Sequence, residues 1–286
     1  MAVNNKTKGG GVFFAAFWLF SFGAVAETEY EQKVVFDRVS LVIAAENNAS
    51  PASAMGHSFL KISGNGYEHA FSYYAVLNGA ASYLKTLAGK AEGAYVLSPY
   101  SQKAAEYLLS ENRSLWEFEL DLNYAEKRLL KKRVKEKKNK QEAYSFVFHN
   151  CNTALENLLS SVNGDFKYHR KKPFTTPVEY AQFLYQAGKI KKISYVRAPA
   201  QKKRPVKNIL SAAAPSRLAI DTTYIEFSPV YQDLRTVSDA YNSELETKML
   251  SVRFDMQKGR PDKLDLLKLF SVQSVSKYFR VGWESG

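Results

Sequence analysis

Between residues 33 and 44 the chain reads KVVFDRVSLVIA, rich in β-branched residues, and predicts a strand. A polar stretch, 46–54, separates it from HSFLKI at 57–62, which alternates cleanly. His57, Phe59 and Lys61 fall on one face there, and Ser58, Leu60 and Ile62 on the other. Asn65-Gly66 marks a turn into a further strand over 67–74. Residues 79–93, rich in Gly and Ala, predict a mobile loop or a short helix. Ser98-Pro99 opens a helix over 100–110, with serine at the cap and proline in the first turn. The run 116–122 (WEFELDL) alternates as a strand. A cationic helix follows over 124–142, and Leu129, Leu130 and Val134 give it a modest buried stripe beside a solvated face.

From Asn150 onward, Cys151, Ala154, Leu155, Leu158, Leu159 and Val162 recur at the spacing of one helix face. Cys151 stands at the N-terminal end of that stripe, where free N–H groups and partial positive charge favour a thiolate. After Pro173 and Pro177 a helix over 178–187 closes at Gly188. The basic, proline-containing stretch around 201–214 reads as a linker. Beyond about residue 220 the pattern is of strands, over 224–227, 249–256 and 264–272, with a hairpin turn at 258–262 between the last two. The fold class expected is α+β, with a β-rich C-terminal region over 215–286.

The first 26 residues break this picture. Lys6 and Lys8 precede an apolar run over 12–22, and Ala24-Val25-Ala26 closes it, the layout of a secretory signal peptide. The run is shorter than the ~20 residues a membrane-spanning helix needs. Export to the periplasm is the expectation. The formal charge is +12; residues 1–26 hold two lysines and no acids, so the remainder carries +10. A basic exported protein meets anionic lipid or cell-wall polymers rather than nucleic acid, which makes an anionic membrane surface a candidate partner.

The single cysteine, Cys151, cannot form an internal disulfide, so a thiol kept in an oxidising compartment points to chemistry. Thiol catalysis needs a base within hydrogen-bond reach. Of the four histidines, His57 leads, since Gly56 before it permits close backbone approach; His69 follows, then His149 and His169. No metal-ligand spacing is present, so neither a metal nor another cofactor is expected.

The segments ASAMGHSFLKI (52–62), SPYSQKAAEYLLSENRSLWEFELDL (98–122) and YSFVFHNCNTALENLL (144–159), in that order, closely resemble the Lnb N-terminal periplasmic domain family. That resemblance implies a permuted papain-like catalytic domain of NlpC-type or lecithin–retinol acyltransferase-like kind over residues 27–200. It assigns Cys151 as nucleophile and His57 as base, and retains Asn150, as an N-cap or an oxyanion donor. Ser72, His69 and Glu68 are candidates to orient His57. The activity implied is thiol acyl transfer or acyl hydrolysis on a lipid or lipoprotein substrate. A cell-wall peptidase or amidase and a non-catalytic envelope protein are the alternatives.

Overall fold

The computed structural model describes residues 34–45, 56–77, 85–86, 89–138, 140–169, 175–199, 208–211, 217–228, 230–232, 245–275 and 278–281. The expected signal peptide and the stretches 46–55 and 201–207 lie outside them. Seven antiparallel strands form the first sheet: β1 (Arg38–Ala44), β2 (His57–Gly64), β3 (Tyr67–Val76), β4 (Ala91–Pro99), β5 (Leu115–Leu120), β6 (Gln141–Tyr144) and β7 (Ile190–Val196). Their spatial order is β6-β4-β3-β2-β1-β5-β7. The β2–β3 hairpin turns on Asn65 and Gly66, both at positive φ (50° and 78°), as a two-residue turn between right-twisted strands requires.

Residue alternation gives this sheet two buried faces. One carries Leu41, Ile43, Leu60, Ile62, Phe71 and Tyr73. Helix α3 (Cys151–Ser160) lies on it, adding Ala154, Leu155, Leu158 and Leu159 to the same core. Helix α2 (Tyr124–Lys137) packs on α3, and α4 (Pro177–Gln186) reaches β1. The other face carries Val42, Ala44, Phe59 and Ala70 under Tyr100 and Tyr107 of α1 (Tyr100–Ala105) and the π-helical turn Glu106–Ser110 that continues it. The architecture is α+β.

Several elements differ from the sequence-based expectation. Ser98 and Pro99 end β4, and α1 begins with Pro99 at its N-cap and no side-chain cap. The glycine-rich segment ends in β4, which lies between β3 and β6. Gly93 is needed there because a Cβ would strike the Tyr73 ring and hydroxyl. The cationic helix stops at Lys137, and Gln141–Tyr144 pairs with β4 instead. Strand β7, unanticipated, pairs with β5.

A second sheet is built from β8 (Arg217–Ile220), β9 (Tyr224–Ser228), β10 (Val230–Gln232), β11 (Leu245–Asp255), β12 (Arg260–Val275) and β13 (Tyr278–Val281). Its order is β13-β12-β11-β9-β8, with β10 alongside β11. The β11–β12 turn falls at 256–259, two to three residues before the expected place, with Gly259 at φ 62°. Among the described residues no helix is long and apolar enough to cross a membrane.

Candidate active site

The chain enters α3 through a tight turn in which the Ser145 and His149 N–H groups each donate to the other's carbonyl at 3.0 Å. That turn leaves Asn150 extended, at the N-cap position. Its Oδ1 accepts the Thr153 N–H at 3.1 Å, and the Thr153 hydroxyl accepts the Asn150 N–H at 2.9 Å. Asn150 Nδ2 donates to the Phe146 carbonyl at 2.9 Å. Both ends of the amide thus hold the turn and the first helical turn, the plainer of the two roles expected of it.

Cys151 is the first residue of α3 and is 9% exposed. Its sulfur lies against β2 at Ser58. Burial pushes the thiol above its ordinary value of 9.0, while the Ser58 and Asn152 N–H groups and the Arg113 charge pull the other way. The Ser58 hydroxyl lies close enough to favour the thiolate, yet it makes no hydrogen bond of good geometry. The helix start does favour the thiolate as expected, through the Asn152 N–H, but burial outweighs it. A helix terminus contributes about 0.3–1 kcal/mol, less than the cost of ionising a buried thiol.

His57 faces the other way. It pairs with Ala44 in register, whereas Ser58 pairs with Ile43, and those two partners belong to opposite cores. The imidazole stacks almost parallel on Tyr74 (4.9 Å between centroids, 6°), with Tyr107 at 6.1 Å and Phe59 at 6.3 Å. Its Nε2 is enclosed and has no hydrogen-bond partner. Burial, then the Lys103 and Arg113 charges, hold its pKa well below 6.5, so the ring is neutral. Cys151 and His57 thus approach the same end of the sheet from opposite faces, and no hydrogen bond joins them.

Arg113 connects the two sides. It is 2% exposed, donates to the Ala45 and Ala44 carbonyls at the end of β1, pairs with Glu111 at 2.8 Å, and stacks over Tyr107 at 4.9 Å. Its charge reaches both His57 and Cys151.

The supporting candidates divide between the faces. His69 pairs with Ile62 on the α3 side of the sheet, four residues along β2 from Ser58, or about 13 Å at strand rise. Ser72 alternates with Phe71 and Tyr73, and so shares the His57 face, its hydroxyl enclosed and without a hydrogen-bond partner. Glu68 is at the far end of the hairpin, paired with Lys61 at 3.0 Å. His149 lies edge-on to Tyr73 at 5.3 Å, with Nε2 3.5 Å from Glu142. His169 is exposed.

Ser58, Tyr74, Lys103 and Arg113 were not singled out from the sequence. Ser58 was readable, since the alternation that set it opposite His57 also put it on the face toward α3. Lys103 Nζ lies 4.7 Å from the Tyr74 ring and 2.6 Å from Glu106. That contact depends on how α1 crosses β3, which no local pattern encodes. Among the described residues no three of His, Cys, Asp and Glu gather to hold a metal ion.

None of the curated proteins compared matches this chain, and neither does any solved structure. One family model does, over more than half of the length and across both Cys151 and His57. By that match to residues 26–185, the chain belongs to the Lnb N-terminal periplasmic domain family.

Proposed function

We propose that this protein is an exported thiol acyltransferase or acyl hydrolase acting on a lipid-linked ester, with Cys151 as nucleophile and His57 as general base. The observation that carries the reading is the seat of Cys151. It is the lone thiol, held by an Asn150–Thr153 capping box at the first turn of α3, against the residue that follows His57. Membership of a periplasmic family supports the compartment, and the N-terminal sequence supports export through a signal peptide.

In the reaction the Cys151 sulfur bonds to the ester carbonyl carbon while His57 accepts the thiol proton. The Asn152 N–H at the start of α3 stabilises the oxyanion. The carbonyl–oxygen bond then breaks, the alcohol leaves with the proton from His57, and a thioester remains. An amine or water attacks that thioester and regenerates the thiol. This step requires the backbone at the start of β2, after Gly56 at φ 78°, to rearrange so that the imidazole leaves Tyr74 for the face that carries the sulfur.

A second reading has an observation of its own. A buried thiol with a raised pKa, and a histidine facing the opposite core, suit a non-catalytic envelope protein on the same framework.

Incubation with a synthetic diacyl lipopeptide, followed by intact mass measurement, separates the two. Catalysis gives a hydroxylamine-labile adduct of one acyl chain on Cys151, absent in Cys151→Ala and at least tenfold slower to form in His57→Ala. An adduct with a muropeptide alone would move the substrate to the cell wall. No adduct with either, together with full cellular function of Cys151→Ala, would leave the non-catalytic reading.

A further inference from the structure

In β8 to β12 the usual disposition of a half-buried sheet is reversed. Leu218 faces Phe227, Phe227 faces Val252 and Val252 faces Leu264 across four adjacent strands. These four are 61%, 43%, 40% and 61% exposed. Two residues along, Ile220, Ile225 and Phe254 make a second exposed row on the same face. Met256, at the start of the following turn, is exposed as well.

The opposite face of those strands is polar and enclosed. Ser228 donates no apolar surface there; its hydroxyl accepts from Ser251 at 2.6 Å, and both residues are buried. Lys248 reaches Glu226 at 2.7 Å and Asp265 at 3.0 Å, and at the solvent-exposed end near the β11–β12 turn Arg253 donates two hydrogen bonds to Asp262. A sheet facing water on one side sends its apolar side chains inward. A wall that meets lipid does the opposite, with apolar residues out and polar residues in.

We propose that this apolar face is a membrane-contact surface, lying in the outer acyl-chain region of an anionic leaflet of the envelope. Its exposed residues form contiguous rows across adjacent strands, unlike the singly scattered apolar residues normal on a monomer. Charge selects lipid over a second copy. The chain carries +12, or +10 without residues 1–26, so copies repel one another while an anionic leaflet attracts. Arg217 on the edge strand and Arg260 after the β11–β12 turn lie at the margin, and among the described residues neither is in an ion pair. This inference is independent of the chemistry at Cys151.

The test places a reporter within the face. In the full-length Phe227→Trp variant, vesicles of phosphatidylethanolamine and phosphatidylglycerol with brominated acyl chains should quench and blue-shift the emission gained over wild type. Vesicles of phosphatidylcholine alone should do so less. Leu218→Trp, on the edge strand, provides a second position should the first disturb packing. Phe227→Asp should weaken partitioning measured by sedimentation about tenfold, the loss of one buried aromatic side chain. Emission indifferent to brominated lipid at both positions would overturn the proposal. So would a stable dimer that Phe227→Asp converts to monomer with partitioning unchanged, which would identify the face as an interface between copies.

Discussion

At the scale of single residues, two titratable groups are held in the form that burial favours. Cys151 is a thiol pushed up by its enclosure, and the partial positive charge of α3 does not reverse this. Its reaction with a small alkylating agent should therefore stay slow through neutral pH, rising only as the pH passes the ordinary thiol value of 9.0. Intact mass against time across pH 6–10 reads this directly. Rapid labelling at pH 7 would mean that the N–H groups of Ser58 and Asn152 outweigh burial. The same enclosure explains how an exported protein keeps one free cysteine: a covered thiol is slow to oxidise. Asn150, by contrast, does its work through both ends of one amide, and only the cap half of that role is visible in the order of residues.

The elements show how a short side-chain choice fixes a longer segment. Helix α3 starts where it does because Asn150 and Thr153 satisfy each other's N–H groups. Replacing Asn150 with Ala removes an N-cap and the hydrogen bond it donates to the Phe146 carbonyl. It should cost about 0.5–2 kcal/mol in urea unfolding, and the stripe from Ala154 to Leu159 should still bury. An unchanged midpoint would mean that the Ser145–His149 turn alone sets the start of the helix. The alternation in β2 is equally decisive, since in a strand neighbours point to opposite faces without exception. That rule placed Ser58 toward α3 and His57 toward Tyr74. The cationic helix α2 ends at Lys137 because the next residues extend the sheet through β4, a long-range pairing that helix periodicity does not register.

On the scale of the whole molecule, the neutral His57 couples the core beneath α1 to pH. Its native pKa lies well below the unfolded value of 6.5. Between the two, the unfolded chain binds a proton that the native chain does not, so stability rises with pH up to about 6.5 and flattens above it. As pH falls through 6.5 the native state is progressively disfavoured. A His57→Phe variant, which keeps an aromatic ring against Tyr74, should lose this contribution. Urea midpoints should then differ less between pH 5.5 and 7 than in wild type. An identical pH slope in both proteins would mean that His57 is protonated without penalty, close to Lys103 and Arg113 though it is.

Local patterns along the chain were enough to read the strands β1, β2 and β3, the Asn65-Gly66 hairpin, the amphipathic stripe of α3 with Cys151 at its head, the strand-rich C-terminal region and the family. Each is a local signal: a period of two, a period of 3.6, a turn dipeptide, or a motif. It took the assembled fold to reveal that β4 and β7 complete the first sheet, that Arg113 latches the end of β1 between the two faces, and that Lys103 comes to rest against Tyr74. It alone turned the second sheet with its apolar rows outward. These features depend on which distant segments share a face, and on how much water is left around each charge, neither of which is encoded within any short window of residues.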